Sequence, residues 1–311
     1  MNSNLAFVFP GQGSQKIGML ADLAAANPLV EETFKEASDV LGYDAWKLIQ
    51  EGEQEDINLT ERTQPLLLTA SIAIWRLWQQ QGGPMPAAMA GHSLGEWSAL
   101  VCAGVVEFAD AVEIVRARGA FMQQAVPVGV GAMAAIMGIE DQIVIDACAE
   151  AAQGQIASAV NFNAPGQVVI AGDAAAIARA IDICKKAGAK RAVELPVSAP
   201  FHTSLMRPAA DNLAEIVAQT TFSAPQIPVL HNVHAQPEAD PEAIKKLMLE
   251  QIYQPVLWVD CVNGLSSRGA EILIECGPGR VLNGLSKRID RELTSLATDD
   301  VASLENALTS V

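Results

Sequence analysis

The sequence predicts an α/β fold with a mainly parallel sheet, into which a second, smaller unit is inserted. Three observations predict this fold. Short apolar patterns typical of strands alternate with helical patterns along most of the chain. Residues 128–198 carry a complete series of strands and helices of their own. The chain has 311 residues, of which 50% are hydrophobic, so it can bury a large core and exceeds the length of one average domain.

The first part of the chain alternates strand and helix signals around two glycine-bounded turns. The apolar run LAFVF predicts a strand that breaks into the loop PGQGSQ, and helical patterns follow in residues 28–41 and 65–81. The apolar run PAAMA leads into the turn GHSLG and then into a helix, and another long helix is predicted over about residues 107–125. Such alternation is typical of strands that lie parallel in one sheet.

The inserted unit follows the order strand, helix, strand, strand, helix, strand. Its strand patterns are GAMAAIMGI, IASAVNFN, QVVIAGD and KRAVELPV, and its helical patterns are EDQIVIDACAEAA and AAAIARAIDICKKAG. This βαββαβ order is the ferredoxin-like pattern. We therefore expect two domains, one built from residues 1–127 and 199–311 and the other from residues 128–198.

After the insertion, the larger domain resumes its alternation. The pattern predicts a helix over 204–219, the strand PVLHNV, a helix over 241–252, the strand AEILIECG and a C-terminal helix. No internal repeat or low-complexity tract interrupts this part of the chain.

Composition and charge exclude several classes of protein. The net charge of −16 argues against a nucleic-acid binder and against a basic membrane anchor, because both require a basic surface. No run approaches the roughly 18 apolar residues of a membrane span, and the N-terminus does not resemble a signal peptide. The five cysteines are scattered singly, and the four histidines have no zinc-binding spacing. We expect a cytoplasmic protein with reduced thiols and no metal site.

The segment Gly91-His-Ser-Leu-Gly95 is the strongest chemical signal in the sequence. A nucleophilic serine must protrude at a sharp turn from strand to helix, and glycines two positions before and after it remove side chains that would clash there. The helix that follows directs its free N–H groups toward the serine oxygen. An ordinary helix-capping serine is the alternative. The apolar strand before the turn and the helix after it favour Ser93 as a nucleophile.

A serine hydroxyl requires a general base, and the chain has four histidines. Neighbouring side chains diverge at such a turn, so we expect a structural role for His92. His231 and His234 lie in a strand and at its exit, where a polar structural role is the simpler interpretation. His202 follows a strand end, and the carboxyl ends of strands form the active crevice in α/β sheets. Position alone leaves the assignment of His202 open.

Further motifs are spread over the whole chain. They are Phe9-Pro-Gly-Gln-Gly-Ser-Gln15, Thr63-Gln-Pro65, Gly91-His-Ser-Leu-Gly-Glu96, Arg118-Gly119, Asn161-Phe-Asn163 with Pro165-Gly166, Ala199-Pro-Phe-His-Thr-Ser204, Gln251 and Glu275-Cys-Gly-Pro-Gly279. In this order and spacing they resemble the malonyl-CoA:acyl-carrier-protein transacylase family of fatty acid synthesis. The resemblance implies an α/β-hydrolase-like core that carries a ferredoxin-like insert.

The resemblance also implies a two-step transfer of a malonyl group. Ser93 would attack the thioester of malonyl-CoA while His202 takes its proton, which gives a malonyl-serine enzyme and free coenzyme A. The phosphopantetheine thiol of an acyl carrier protein would then collect the malonyl group, with His202 acting in reverse. Coenzyme A enters only as the thioester substrate, and no bound cofactor is implied.

Two further roles around the nucleophile follow from the resemblance. The backbone N–H groups of Gln12 and Leu94 would form the oxyanion hole. The backbone carbonyl of Gln251 would orient His202 in place of a carboxylate. Taken alone, the loop that contains Gln12 is more simply interpreted as a surface turn.

The resemblance implies that Arg118 grips the free carboxylate of the malonyl group through a bidentate pair. Gln64, Asn163 and Gln251 are weaker candidates for substrate contact. The simpler interpretations are a surface ion pair for the arginine and capping or turn hydrogen bonds for the amides.

The implied carrier protein is acidic, and so is this chain, so docking requires a local basic patch. Two clusters are candidates: Lys185, Lys186, Lys190 and Arg191 on the inserted unit, and Lys287, Arg288 and Arg291 near the C-terminus. Solvated helix ends are the simpler interpretation of each cluster.

Three alternative functions stay open at this point. An esterase or thioesterase would use the same serine turn, but many such enzymes place the histidine near the C-terminus, whereas the last histidine here is His234. A catalytically silent docking protein is the second alternative, and the intact site motifs argue against it. A transacylase for methylmalonyl or another branched extender is the third. Phe201 beside His202 fits the malonyl pattern without settling selectivity.

Overall fold

A computed structural model describes residues 2–197 and 199–311, and Met1 and Ser198, the last residue of the predicted inserted domain, lie outside the described residues. The strands are β1 (Asn2–Phe9), β2 (Pro86–Gly91), β3 (Gly131–Met137), β4 (Ala157–Ala164), β5 (Gln167–Asp173), β6 (Arg191–Glu194), β7 (Val229–Leu230), β8 (Ile272–Glu275) and β9 (Thr294–Ala297). The helices of the first half are α1 (Ala21–Ala26), α2 (Leu29–Leu41), α3 (Ala45–Glu51), α4 (Gln54–Ile57), α5 (Thr60–Gln80), α6 (Leu94–Cys102), α7 (Phe108–Gln124) and α8 (Asp141–Ala152). Those of the second half are α9 (Ala174–Lys186), α10 (Arg207–Gln219), α11 (Pro241–Glu250), α12 (Trp258–Ser267), α13 (Val281–Ile289) and α14 (Val301–Thr309), and a 3₁₀ helix over Ser204–Met206 precedes α10.

The larger sheet has the strand order β7-β2-β1-β8-β9, and its neighbouring strands pair in parallel. Strand β1 lies in the middle, and its residues 5–9 are fully buried. A strand that helices cover on both faces carries a continuous apolar run rather than an alternating one, which explains the sequence LAFVF. The predicted α/β fold with a parallel sheet is confirmed.

The carboxyl ends of β1 and β2 lie side by side, and this brings two glycine-rich segments together. The backbone N–H of His92 donates to the carbonyl oxygen of Phe9 over 3.0 Å. A Cβ on Gly11 would lie 2.5 Å from the carbonyl oxygen of His92, so only glycine fits at this position. The loop after β1 is therefore packed against the serine turn after β2.

The smaller sheet has the order β4-β5-β3-β6, with antiparallel neighbours. Its chain order is β3, α8, β4, β5, α9 and β6, as the βαββαβ pattern predicts. Helices α8 and α9 pack together against the sheet and bury a separate apolar core that includes Ile136, Val144 and Ile170. The predicted inserted ferredoxin-like unit is confirmed as part of the fold.

The strands and helices predicted from the sequence were least complete after β7. The predicted strand PVLHNV is reduced to two residues because the chain turns at once, with the N–H of His231 donating to the carbonyl of Gln236 over 3.1 Å. Helix α12 was missed, and Gly264 within it packs so closely on the sheet that a Cβ would lie 2.6 Å from Leu230 Cδ2. One C-terminal helix was expected, whereas the chain forms α13, β9 and α14.

All five cysteines are free and buried. Burial raises the pKa of each thiol, to about 12 at Cys148, so the thiols stay protonated and are poor nucleophiles. Within residues 2–197 and 199–311, no helix combines the length and the apolar character that crossing a membrane requires. The same residues bring together no group of three or more His, Cys, Asp or Glu side chains that could hold a metal ion.

Candidate active site

Ser93 forms the turn between β2 and α6, and its backbone has φ 50° and ψ −107°. A positive φ is costly for a residue with a side chain and is typical of strained functional positions. A Cβ on Gly91 would lie 1.9 Å from the carbonyl carbon of Gly95, and a Cβ on Gly95 would lie 2.0 Å from the carbonyl oxygen of Phe9. The hydroxyl makes no capping bond to α6, so Ser93 does not act as an ordinary helix-capping serine.

The side chain of Ser93 points to His202, and 2.8 Å separate its Oγ from His202 Nε2. The other ring nitrogen, Nδ1, lies 2.8 Å from the carbonyl oxygen of Gln251. A carbonyl can only accept, so Nδ1 carries the proton, and Nε2 is left to accept from the serine hydroxyl. His202 also has a left-handed backbone, with φ 63°.

The imidazole of His202 is neutral at physiological pH. Burial and the positive charge of Arg118 lower its pKa from 6.5 to about 3. A neutral ring can take a proton from the hydroxyl, which a charged ring cannot. The same burial lowers the pKa of His92.

Arg118 extends from α7 into the site and is 1% exposed. Its Nη1 donates to Gln64 Oε1 over 2.7 Å and its Nη2 donates to Gln251 Oε1 over 2.8 Å, while Nη2 lies 3.4 Å from Ser93 Oγ. All three partners are amide or hydroxyl oxygens, and none of them is a carboxylate. Burial lowers its pKa to about 10, at which it remains a cation at neutral pH. Its Nε is buried and has no hydrogen-bond partner among the residues that the structure describes.

The side chain of Gln251 lies between Arg118 and a buried carboxylate that the sequence analysis assigned no role. Its Nε2 donates to Glu96 Oε2 over 2.7 Å and to the carbonyl oxygen of Ser93 over 2.9 Å. Glu96 also accepts from His231 Nδ1 at 2.6 Å and from the backbone N–H of Asn232 at 3.1 Å.

Asn232 ties the same network to the nucleophile. Its Oδ1 accepts from the backbone N–H of Ser93 over 2.8 Å, and its Nδ2 donates to the carbonyl oxygen of Gly91 over 2.7 Å. A signal for these residues existed in the sequence. Glu96 is a carboxylate in an apolar helix, which requires polar partners, and Asn232 follows a strand of the parallel sheet at its carboxyl end.

The two residues predicted for the oxyanion hole belong to the loop after β1 and to the start of α6. Leu94 is the first residue of α6, so its N–H has no carbonyl partner within the helix. Gln12 lies in the loop after β1, and its side chain donates to Thr60 Oγ1 over 3.5 Å. Both residues line the same cavity as Ser93 and His202.

Asn163 reaches the site only indirectly. Its Oδ1 accepts from His92 Nε2 over 2.7 Å, and the ring of His92 packs against Trp258 with centroids 5.5 Å apart. The cavity is lined by Asn161 and not by Asn163. The sequence analysis missed Asn161 as a lining residue, although it belongs to the same motif.

A cavity of about 120 Å³ connects the hydroxyl, the imidazole and the guanidinium. This volume is far below the roughly 300 Å³ of a pocket for a drug-sized ligand, so the cavity suits a short acyl group. The lining residues are Gln12, Gln64, His92, Ser93, Leu94, Arg118, Met122, Met133, Asn161, Leu195, Val197, Phe201 and His202. Those numbered 133 to 197 come from the segment that carries the smaller sheet, and the rest come from the segments before and after it. A wider groove of about 900 Å³ along α2 and α3 contains none of these side chains.

The seven basic residues predicted for docking are exposed. The two clusters approach each other, because Arg288 of α13 donates to Gln167 Oε1 at the start of β5. Gln167 and Arg191 are the partners of Met137 on either side of β3. Arg288 and Arg191 therefore lie at the same end of the inserted sheet.

The chain is similar to known proteins over nearly its whole length. The model of a family described as "Acyl transferase domain" matches residues 6–300. The malonyl CoA-acyl carrier protein transacylase of Salmonella typhimurium is 58% identical over 307 residues, which cover 99% of both chains. That of Bacillus subtilis is 43% identical over 309 residues, which cover 98% of this chain and 96% of the relative.

Solved structures show the same similarity. An acyl carrier protein S-malonyltransferase from Vibrio cholerae has a TM-score of 0.96 at 59% identity, covering 98% of this chain and 99% of that chain. A malonyl-transacylase in complex with a type II PKS acyl-carrier protein has a TM-score of 0.98 at 56% identity, covering 99% of this chain and 100% of that chain. The chain therefore belongs to the acyl transferase domain family and, within it, to the malonyl CoA-acyl carrier protein transacylases.

Proposed function

We propose that this protein transfers the malonyl group of malonyl-CoA to the phosphopantetheine thiol of an acyl carrier protein, through a malonyl ester on Ser93. The observation that carries the proposal is the hydrogen bond of 2.8 Å between Ser93 Oγ and His202 Nε2, in a small cavity that also contains the Arg118 guanidinium. The names of relatives that match the chain over nearly its whole length support this substrate pair.

In the first half of the reaction, Ser93 Oγ attacks the thioester carbonyl while its proton passes to His202 Nε2. The tetrahedral intermediate then collapses, the carbon–sulfur bond breaks, and the coenzyme A thiolate leaves with the proton from His202. The carbonyl of Gln251 holds the Nδ1 proton and thereby keeps the ring in the required tautomer and orientation.

The second half reverses these steps with a different thiol. The phosphopantetheine thiol gives its proton to His202, its sulfur attacks the ester carbonyl, and Ser93 Oγ leaves with the returned proton. Dividing the transfer in this way lets two large thioester partners use one small site in turn. A neutral base is required at the start of both halves, which the lowered pKa of His202 supplies.

The backbone N–H groups of Leu94 and Gln12 are proposed to stabilise the oxyanion of both tetrahedral intermediates. The N–H of Leu94 is free at the start of a nine-residue helix, where the helix dipole also favours negative charge. A preformed donor of this kind contributes about 3–4 kcal/mol in the transition state.

Arg118 is proposed to bind the free carboxylate of the malonyl group. Its charge is buried beside the nucleophile, its bonded partners are neutral, and its Nε–H has no partner. Hydrogen bonds to a charged group contribute about 1.5–3 kcal/mol, so an acyl group that brings its own carboxylate is favoured. Gln64 and Gln251 hold the guanidinium in place, and Asn163 acts on the site through His92.

The carrier protein is proposed to dock on the basic end of the inserted sheet. Lys185 and Lys186 end α9, Arg191 begins β6, and Arg288 reaches this end of the sheet through its bond to Gln167. An exposed set of cations offers an acidic partner complementary charge on a chain whose net charge is −16.

Domain organisation, pathway and location complete the proposal. We propose two domains, residues 1–127 with 199–311 and residues 128–198, which close the cavity between them. We assign the product to fatty acid synthesis and the protein to the cytoplasm. The free state of all five cysteines supports that compartment, because reducing conditions keep thiols unpaired.

Intact mass spectrometry after mixing the protein with malonyl-CoA alone tests the proposal. A lasting mass gain of one malonyl group is expected, absent in Ser93→Ala and discharged when phosphopantetheinylated carrier protein is added. Free malonate without an adduct would instead indicate a hydrolase. Neither adduct nor turnover would indicate a protein that docks the carrier without catalysis.

A further inference from the structure

Glu96 is a buried carboxylate that the proposed reaction does not use. It is 0% exposed, and its oxygens accept from His231 Nδ1, from the backbone N–H of Asn232 and from Gln251 Nε2. Removing a carboxylate from water is costly unless such donors surround it. All three donors belong to segments that approach the active site from the larger domain. The position of the buried Glu96 carboxylate, one helical turn after the nucleophile, therefore requires an explanation.

The first effect of Glu96 is to fix which way the amide of Gln251 points. The amide nitrogen donates to Glu96 Oε2 at 2.7 Å and to the carbonyl oxygen of Ser93 at 2.9 Å, and Asn232 Oδ1 is a third acceptor at 3.4 Å. The amide oxygen faces Arg118. A flipped amide would set its oxygen against all three acceptors and its N–H₂ group against the guanidinium. Acceptor would then face acceptor, or donor would face donor, at every contact. The carboxylate therefore holds the amide oxygen toward Arg118.

The second effect reaches Ser93. Glu96 accepts from the backbone N–H of Asn232, whose side chain accepts from the N–H of Ser93 and donates to the carbonyl of Gly91. These bonds hold the strained turn on both sides of the nucleophile. This branch acts on Ser93 itself and is therefore independent of the acyl group that is transferred.

We propose that Glu96 is a positioning residue for acyl selectivity, which acts through the Gln251 amide to hold the Arg118 guanidinium where it meets the malonyl carboxylate. The inference rests on the proposed function. Glu96 touches no reacting atom, and its selective effect passes along one chain of bonds, from its Oε2 to Gln251 Nε2 and from Gln251 Oε1 to Arg118 Nη2.

The chemistry of the surroundings explains why a carboxylate is needed here and an amide would not serve as well. A glutamine at this position could direct its N–H₂ group at Asn232 and Gln251, where donors would face donors. Alternatively it could direct this group at His231 Nδ1, which would move the ring proton to Nε2. His231 Nε2 is buried and finds no hydrogen-bond partner in the described part of the chain, so its proton would be left unsatisfied.

A competition experiment tests the proposal. The protein is mixed with malonyl-CoA and acetyl-CoA together, without carrier protein, and intact mass spectrometry measures the early ratio of malonyl to acetyl adducts on Ser93. This ratio compares the two kcat/KM values and does not depend on how much of a variant is folded. We expect Glu96→Ala to lower the ratio by at least about tenfold, equivalent to about 1.4 kcal/mol. Glu96→Gln should lower it less, because the amide oxygen can still accept a bond.

Glu275→Gln is the matched control. Glu275 is also a fully buried carboxylate, but its oxygens accept from the backbone N–H groups of Leu282 and Asn283 at the start of α13. Replacing the Glu275 carboxylate by an amide should lower the stability of the protein and leave the adduct ratio at the wild-type value. An unchanged ratio in both Glu96 variants would overturn the proposal, since it would reduce Glu96 to a structural role.

The route through Arg118 is tested by combining substitutions. In an Arg118→Ala background, Glu96→Ala should change the adduct ratio little, because the residue through which it acts is gone. The same fold-change with and without Arg118 would also overturn the proposal. A wild-type protein that gains no malonyl group at all would instead contradict the proposed function, which keeps the two failures distinct.

Discussion

The site has two halves that are built by different means and meet at Gln251. The reaction half comprises Ser93, His202 and the backbone carbonyl of Gln251, and the backbone largely fixes it. Both side chains stand on left-handed residues, with φ 50° and 63°, and a main-chain oxygen orients the ring. The recognition half comprises Arg118, Gln64 and the side chain of Gln251, and hydrogen bonds between side chains hold most of it.

The difference has a chemical consequence. Under the proposed function, the reaction half meets the thioester carbonyl that every acyl-CoA shares, so a rigid backbone serves all substrates alike. The recognition half holds a cation with neutral amide oxygens, which position the charge without neutralising it. An incoming carboxylate therefore finds a buried charge ready to pair. Substitutions in the two halves should accordingly fail in different ways.

The largest effect is expected in the reaction half. His202→Ala should slow formation of malonyl-Ser93 by about 10²- to 10⁴-fold, the usual contribution of a general base. Because the base acts on the shared carbonyl chemistry, acetyl-Ser93 formation should slow by the same factor. Quenched time courses read by intact mass spectrometry give both rates. A loss confined to malonyl transfer would show that the two halves are not separable.

At neutral pH, Arg118→Ala should affect the recognition half alone. We expect malonyl transfer to fall at least about tenfold, since charged hydrogen bonds contribute more than about 1.4 kcal/mol, while acetyl transfer is spared. Arg76→Ala is the matched control, because Arg76 pairs with Glu36 over 2.7 Å at the surface and should not affect selectivity. The same two time courses give the answer. Equal losses for both acyl groups would remove the basis for a carboxylate clamp at Arg118.

The contrast between the halves also explains what the sequence could predict. The turn around Ser93 leaves a local pattern in the sequence, because the glycines on either side of the serine cannot bear a Cβ: Gly91 would clash with the backbone of Gly95, and Gly95 with the backbone of Phe9. Such constraints leave a signature within five residues. The alternation of strands and helices, and the βαββαβ order of the insert, are likewise visible along the chain and predicted both sheets.

The network around Glu96 has no comparable signature. It joins residues separated by more than a hundred positions, with 135 between Glu96 and His231 and 155 between Glu96 and Gln251. Only the order of strands and the turn after β7 bring them together. Asn163 illustrates the same limit, because Asn161 lines the cavity whereas Asn163, in the same strand, contacts His92. Motif position identified the segment but not the side chain that lines the site.

A pH profile sharpens the comparison, because the cation of one half influences the base of the other. The positive charge of Arg118 is the second cause, after burial, that lowers the pKa of His202 from 6.5 to about 3. Its removal should raise this pKa part of the way back, so that protonation disables the base at a higher pH. Acetyl-Ser93 formation should stay nearly constant from about pH 8 to about pH 5 in the wild type and decline toward pH 5 in Arg118→Ala. Initial rates across this range test the coupling, and coinciding profiles would contradict it.

The smallest effect is expected outside both halves, where the carrier protein is proposed to dock. Lys190→Glu with Arg191→Glu should raise the Michaelis constant for carrier protein by up to about fivefold in total, since each exposed ion pair contributes about 0.5 kcal/mol. Formation of malonyl-Ser93 from malonyl-CoA should not change, because neither residue lines the cavity. Lys246→Glu is the control, an exposed lysine on α11 in the larger domain. Added salt should weaken carrier binding to the wild type more than to the double variant, because salt screens an attraction that the variant has lost. If the carrier step is unaffected by reversal of both charges, the basic end of the inserted sheet is not the docking surface, and the acidic partner must approach the cavity from another side.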